Sequence, residues 1–275
     1  MYVMSYFRDE RMAAWIAVSD DLCSWRDLNG GEPVIEFTPE ENKIVRDPFI
    51  LQDKHGVFHM FFTDNWRGVT LGYSKSKDLV SWDKPIFHNF SKDIGEVENC
   101  WAPEAVFDRE NDEWIIFWSS RLKGEEPRHD RHYCVKTRDF ISFTKAELFF
   151  ATDYPIIDAS VKYHDGKYYM AYKDERGWNK PDTPYKAIRT CVSNHAMGPY
   201  EDISPLLTEH LSEGPTIVKV DEGFVVFYDY FGKRIYKAMF SRDFRNFTDI
   251  SDKISFPPTC KHFTVIEPDI VPEGL

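Results

Sequence analysis

The chain lacks any arrangement of cysteines that would staple it or hold zinc. Five are present, Cys23, Cys100, Cys134, Cys191 and Cys260. The number is odd, no two stand at CxxC spacing, and none has a Cys or His partner at zinc spacing. They read as buried thiols in a reducing compartment. Positive charge is also in short supply, with 34 Lys and Arg against 46 Asp and Glu and a net charge of −12. Nucleic-acid and anionic-membrane surfaces need basic patches, so the balance speaks against both partners. The apolar runs fall far short of a membrane span. Met1 leads straight into the strand-like run Tyr2-Val3-Met4-Ser5-Tyr6-Phe7 without a basic lead-in. No signal peptide is evident, and a cytoplasmic protein is expected. No convincing helix-period segment and no low-complexity tract break the pattern.

Aromatic residues, by contrast, are abundant at 16%, within a hydrophobic total of 42%. That is enough for a core, and Trp and Tyr also suit the faces of sugars. The apolar residues come in short runs joined by turns, and the runs repeat. Ile156-Ile157-Asp158-Ala159-Ser160-Val161 is followed by the Asp165-Gly166 turn and by Lys167-Tyr168-Tyr169-Met170-Ala171-Tyr172. This is a hairpin whose first strand carries a carboxylate near its start. Arg46-Asp47-Pro48-Phe49-Ile50, Ala102-Pro103-Glu104-Ala105-Val106 and Ser212-Glu213-Gly214-Pro215-Thr216-Ile217 open similar hairpins. The acids at 47, 104, 158 and 213 are 57, 54 and 55 residues apart, and one more step of 49 lands on His262.

A second phrase runs in phase with the first. Ser/Thr-x-Asp-Leu/Phe-x-x-Trp/Phe closes units at Ser19 to Trp25, Ser76 to Trp82, Thr137 to Phe143 and Ser241 to Phe247. The unit opened by Asp158 closes instead through Cys191-Val192-Ser193-Asn194, without the aromatic ending. A strand-like period near 55 residues predicts a radial array of small sheets. The first 28 residues hold three strands without an opening strand, and Thr259 to Pro268 is a lone strand. Joined, they make one four-stranded unit. The expectation is an all-β, five-bladed β-propeller over residues 1–275, a single domain whose ring is closed by the C-terminal strand slotting into the N-terminal blade. Two longer insertions are placed inside units, at Lys123 to Arg131 and Gly177 to Tyr185.

In such a ring the opening strands line a central channel. Asp47, Glu104, Asp158 and Glu213 are therefore expected around one axis at one level, with His262 as the fifth member. Crowded, partly desolvated carboxyls cannot all ionise freely, which separates a proton donor from a proton acceptor. That is the equipment for acid/base chemistry on an acetal.

Four phrases in this order resemble glycoside hydrolase family 43, within the clan of five-bladed propeller glycosidases. They are Arg46-Asp47-Pro48, Trp101-Ala102-Pro103-Glu104, Ile157-Asp158-Ala159-Ser160 and Ser212-Glu213-Gly214-Pro215. The resemblance implies inverting hydrolysis of α-L-arabinofuranosides or β-xylosides in small oligosaccharides. It implies Asp47 as general base, Glu213 as general acid and Asp158 as the residue tuning and orienting that acid. Glu104 stands where the family more often has Asp, so a supporting contact to sugar hydroxyls is expected of it. Arg46, Trp66 and Trp101 are candidate substrate contacts, and Arg67 lies beside Trp66. His262 matches a family His-Gly phrase that in some members holds a hydrated calcium. Phe263 replaces the Gly here, so no cofactor is required and Ca2+ in the channel is a secondary expectation. The absence of an appended binding domain favours exo action on short substrates. A fructosidase-like hydrolase or phosphorylase and a non-catalytic sugar-binding propeller are the alternatives. Against the first, no Asn-Asp-Pro-Asn phrase occurs, no Cys follows Glu213, and no basic phosphate pocket stands out.

Overall fold

The recurrent Ser/Thr-x-Asp phrase is a turn built by its own side chains. In the copy at Ser76, the hydroxyl accepts from Leu79 N–H, and Asp78 Oδ1 accepts from Val80 and Ser81 N–H. Thr137 and Asp139 do the same for Phe140, Ile141 and Ser142. The apolar residue after the Asp is left-handed in all four copies: Leu22, Leu79, Phe140 and Phe244. The side-chain bonds offset the strain of that conformation and bury the ring or isobutyl group beneath the turn.

Between such turns the apolar runs pair as antiparallel strands. The structure is a computed structural model and describes residues 1–177 and 185–272. Most of the insertion expected at 177–185 thus lies outside the described residues. The strands are β1 (Tyr2–Phe7), β2 (Ala14–Ser19), β3 (Arg26–Asp27), β4 (Arg46–Gln52), β5 (Phe58–Thr63), β6 (Leu71–Ser76) and β7 (Ile86–His88). They continue with β8 (Trp101–Asp108), β9 (Glu113–Ser120), β10 (Arg131–Thr137), β11 (Glu147–Phe150), β12 (Ile156–His164), β13 (Lys167–Asp174) and β14 (Ala187–Ser193). The last are β15 (Glu213–Val220), β16 (Gly223–Tyr230), β17 (Ile235–Ser241), β18 (Thr248–Asp249) and β19 (Lys261–Ile266).

They form five sheets: β4 to β7, β8 to β11, β12 to β14, β15 to β18, and a composite in the order β19-β1-β2-β3. The five-bladed propeller is as expected, with β19 pairing β1 to close the ring. Among the described residues the β12 sheet has three strands, and it is the unit without the aromatic closing phrase. The inner strands pack in sequence, β4 on β8, β8 on β12, β12 on β15, β15 on β19 and β19 back on β4. Five hydrophobic clusters fill the seams between neighbouring sheets. Phe61, Trp118, Tyr172 and Phe227 are fully buried in them, each contributing roughly 1.5–3 kcal/mol. Among the described residues no helix is long and apolar enough to cross a membrane.

Every inner strand interrupts its ladder at the same point. Pairing skips between Arg46 and Phe49, Trp101 and Glu104, Ile157 and Ser160, and Glu213 and Thr216. In the composite sheet it skips between Lys261 and Thr264. Each break contains one left-handed residue: Asp47 (φ 48), Ala102 (φ 48), Asp158 (φ 52), Gly214 (φ 54) and His262 (φ 31). A bulge re-aims side chains at a sheet edge, and here it does so five times around one axis.

These breaks correct the expectation that four acids share a level. Only Asp47 and Asp158 occupy the left-handed position, together with Ala102, Gly214 and His262. Glu213 comes one residue before it, in line with Arg46, Trp101, Ile157 and Lys261. Glu104 comes two residues after it, in line with Phe49, Ser160, Thr216 and Thr264. Near-equal spacing in the sequence cannot resolve one or two residues, because the connections between blades differ in length.

Candidate active site

The left-handed ring and the residues just before it border a pocket of about 290 Å³. It is lined by Arg46, Asp47, Trp66, Trp101, Arg128, Asp158, Lys173, Glu175, Glu213 and His262, among others. Asp47, Asp158 and Glu213, expected together from the sequence, do meet here. So do Arg46, Trp66 and Trp101. Glu104 does not. It sits farther along the channel in a separate cavity with Ser160, Lys162, Thr216 and Thr264, so the expected contact to substrate hydroxyls has no geometric support. Burial pushes its carboxyl up to about 8, against the pull of His262 and Lys162.

Asp47 is held as a carboxylate. Its Oδ2 accepts from Thr63 Oγ1 at 2.7 Å, and its Oδ1 lies 3.3 Å from His262 Nδ1. Burial alone would raise its proton affinity, but the His262 charge, the bond to His262 and nearby Arg46 hold it well below the usual carboxylate range. His262 answers in kind. Burial works against its charge, yet Asp47 first, then Asp158 and Glu213, push the imidazolium up to about 9. Asp158 is the opposite case. It is fully enclosed, accepts from Gly214 N–H at 3.3 Å, and burial pushes it up to about 6. His262 and Lys173 oppose that rise, while Glu213 and Asp47 add to it. Two neighbouring acids with proton affinities driven apart are what acid/base work at one centre requires.

Glu213 receives a hydrogen bond from Lys173 Nζ at 2.7 Å. Lys173 also pairs with Glu175 at 2.9 Å, and Glu175 with Lys186 at 2.6 Å and Arg128 at 3.6 Å. At the mouth, the Arg46 guanidinium lies between the rings of Phe7 (4.4 Å) and Trp66 (3.9 Å). Trp101 Nε1 donates to the Trp66 carbonyl at 3.1 Å, which ties the two tryptophans together. Trp66 is 52% exposed, a large apolar face free to meet a ligand. Arg67 is exposed beside it and outside the pocket lining.

The sequence reading missed Thr63, Arg128, Lys173 and Glu175. Thr63 and Lys173 had a signal: both sit in the second strand of a blade, paired with the residue that precedes the left-handed position. Arg128 belongs to the 123–131 insertion, whose path no repeat predicts. As for calcium, His262 is engaged with Asp47. Among the described residues no group of three or more His, Cys, Asp or Glu is placed to hold an ion.

Comparison with known proteins agrees with this architecture. An α-L-arabinofuranosidase of Bifidobacterium longum subsp. longum is 25% identical over 278 residues, covering 81% of this chain and 26% of that protein. The chain thus spans about a quarter of that relative's length. An exo-1,5-α-L-arabinanase from a bovine ruminal metagenomic library superposes with a TM-score of 0.56 at 16% identity, over 78% of this chain and 77% of the other. An exo-β-1,3-galactanase variant of Phanerochaete chrysosporium, solved with β-1,3-galactotriose, superposes with a TM-score of 0.55 at 13% identity, over 75% and 50%. At such identities the two structures speak for the fold alone. Residues 1–268 match a family described as "Probable glycosyl hydrolase domain". That match spans all five blades and the whole pocket, and the chain belongs to the glycosyl hydrolase 43-related family of glycosidases.

Proposed function

We propose that residues 1–275 act as one catalytic unit that hydrolyses the terminal glycosidic bond of short oligosaccharides with inversion. The observation that carries this reading is the division of labour in one pocket. Asp47 is fixed as a carboxylate by His262 and Thr63, while Glu213 and Asp158, whose proton affinity burial raises, stand on neighbouring strands. Asp47 takes a proton from water, Glu213 gives one to the leaving oxygen, and Asp158 biases Glu213 toward its acid form. Arg46, Trp66 and Trp101 form the platform for the sugar at the mouth. The pocket is at the small end of ligand sites, which favours exo action. The arabinofuranosidase relative makes α-L-arabinofuranosides the first substrates to test, with β-xylosides next. The reading requires no cofactor.

The test is a panel of aryl glycosides followed by proton NMR of the first-formed sugar. Hydrolysis of one of them with inversion, abolished in Glu213→Gln, supports the reading. Turnover that persists in Glu213→Gln, or a retained anomer, overturns it.

A further inference from the structure

The least expected group in the pocket is the ammonium of Lys173. It is 2% exposed, and a buried ammonium is costly unless paired. Its place in the fold explains how it comes to touch Glu213. The residues paired with Arg46, Trp101, Ile157, Glu213 and Lys261 are Thr63, Ser119, Lys173, Asp229 and Phe7. In each blade this second-strand residue reaches forward to the next blade's inner strand. Thr63 Oγ1 accepts from Ala102 N–H at 2.9 Å, and Ser119 Oγ accepts from Asp158 N–H at 3.2 Å. Lys261 Nζ donates to Asp229 at 3.2 Å, and the Arg46 guanidinium covers Phe7. Lys173 fills the same slot between the third and fourth blades. There the forward contact falls on the carboxylate of Glu213. Glu175 anchors the lysine from its own strand end and is itself held by Lys186.

Resting on the reading that Glu213 is the acid, we propose that Lys173 is a positioning residue that stabilises the Glu213 carboxylate formed when the leaving group is protonated. In that step the O–H bond of Glu213 breaks and its proton goes to the glycosidic oxygen. The C1–O bond breaks with its electron pair on that oxygen. Water attacks C1 and passes a proton to Asp47. Glu213 is left negative, and Lys173 is already within hydrogen-bond distance of it. The other groups that face Glu213 are Asp158 on β12, Asp229 on β16, Tyr236 on β17 and His262 on β19. Asp158 and Asp229 oppose the negative charge and His262 favours it. Lys173 is the cation bonded directly to Glu213. Its effect should be greatest where proton donation matters most, on poor leaving groups.

The experiment uses aryl and alkyl glycosides of whichever sugar the panel identifies, from nitrophenyl to methyl. Lys173→Met is first checked by thermal melting. The expected result is a kcat loss below tenfold with nitrophenyl and above a hundredfold with methyl, and an alkaline limb of kcat/KM moved to higher pH. Lys173→Arg restores most of the lost rate. If Lys173→Met does not fold, Lys173→Gln is measured in its place, and Glu175→Gln, which loosens the anchor, should show a weaker form of the same leaving-group bias. A uniform loss across leaving groups with an unmoved alkaline limb would falsify the proposal while leaving Glu213 as the acid. Persistent turnover in Glu213→Gln would instead remove the reading beneath it.

Discussion

His262 Nδ1 stands 3.3 Å from Asp47 Oδ1, joining the last inner strand of the ring to the first. The pair bridges the seam where the chain closes on itself. It fixes the charge of the residue assigned to activate water. Closure of the fold and assembly of the site are therefore one event at this point.

That relationship predicts a pH dependence of stability. The folded state raises His262 from the ordinary histidine range to about 9. The stabilisation it gives is complete below about pH 6.5 and is lost as pH rises through 9. Asp158 and Glu104, raised to about 6 and 8, act in the same direction over lower windows. The difference between wild type and His262→Gln isolates the pair. The stability gap in urea should be large at pH 6.5 and shrink toward pH 9.5. A gap that does not change across this range would show that the imidazole is neutral in the folded protein.

Asp47→Asn should lower kcat by about 10²–10⁴-fold and leave the KM for an aryl glycoside nearly unchanged. The amide keeps the bond from Thr63 but cannot take a proton from water. A large rise in KM with kcat preserved would place Asp47 in binding rather than in the reaction.

Asp158→Asn and Lys173→Met should move the alkaline limb of kcat/KM in opposite directions. Asp158 is a negative neighbour of Glu213 above about pH 6, so removing its charge lets the acid lose its proton sooner and the limb moves down. The lysine variant moves it up. Shifts of the same sign in both variants would mean that something other than charge on Glu213 sets the limb.

Gly214→Ala tests the packing of the ring. An added Cβ would meet the His262 ring at 2.9 Å. Positive φ is not the main obstacle, since Ala102 has a side chain at the same position of its blade with φ 48. The cost is the clash, about 1–3 kcal/mol. By displacing His262, the substitution should also reduce turnover. Unchanged melting temperature and unchanged kcat would show that His262 has room to move without loss of function.

The repeat itself was legible in the sequence because turn chemistry is local. Ser76, Asp78 and Leu79 carry their own turn, and so do their counterparts, so blade number, closure by the last strand and the membership of Asp47, Asp158 and Glu213 could be read from spacing. The level of each acid was not. A bulge shifts side chains by one or two residues, and sequence spacing cannot resolve so small a step. Glu104 was misplaced for this reason. Lys173 was hidden for another: within its strand it reads as one more position of an aromatic core, and its partner Glu213 lies 40 residues away on the next blade. The chain alone determined how many blades there are and which acids line the axis, because those follow from short-range pairing. Only the closed ring decided which of them share a pocket and which cation each one faces, because those contacts cross between blades that no local pattern connects.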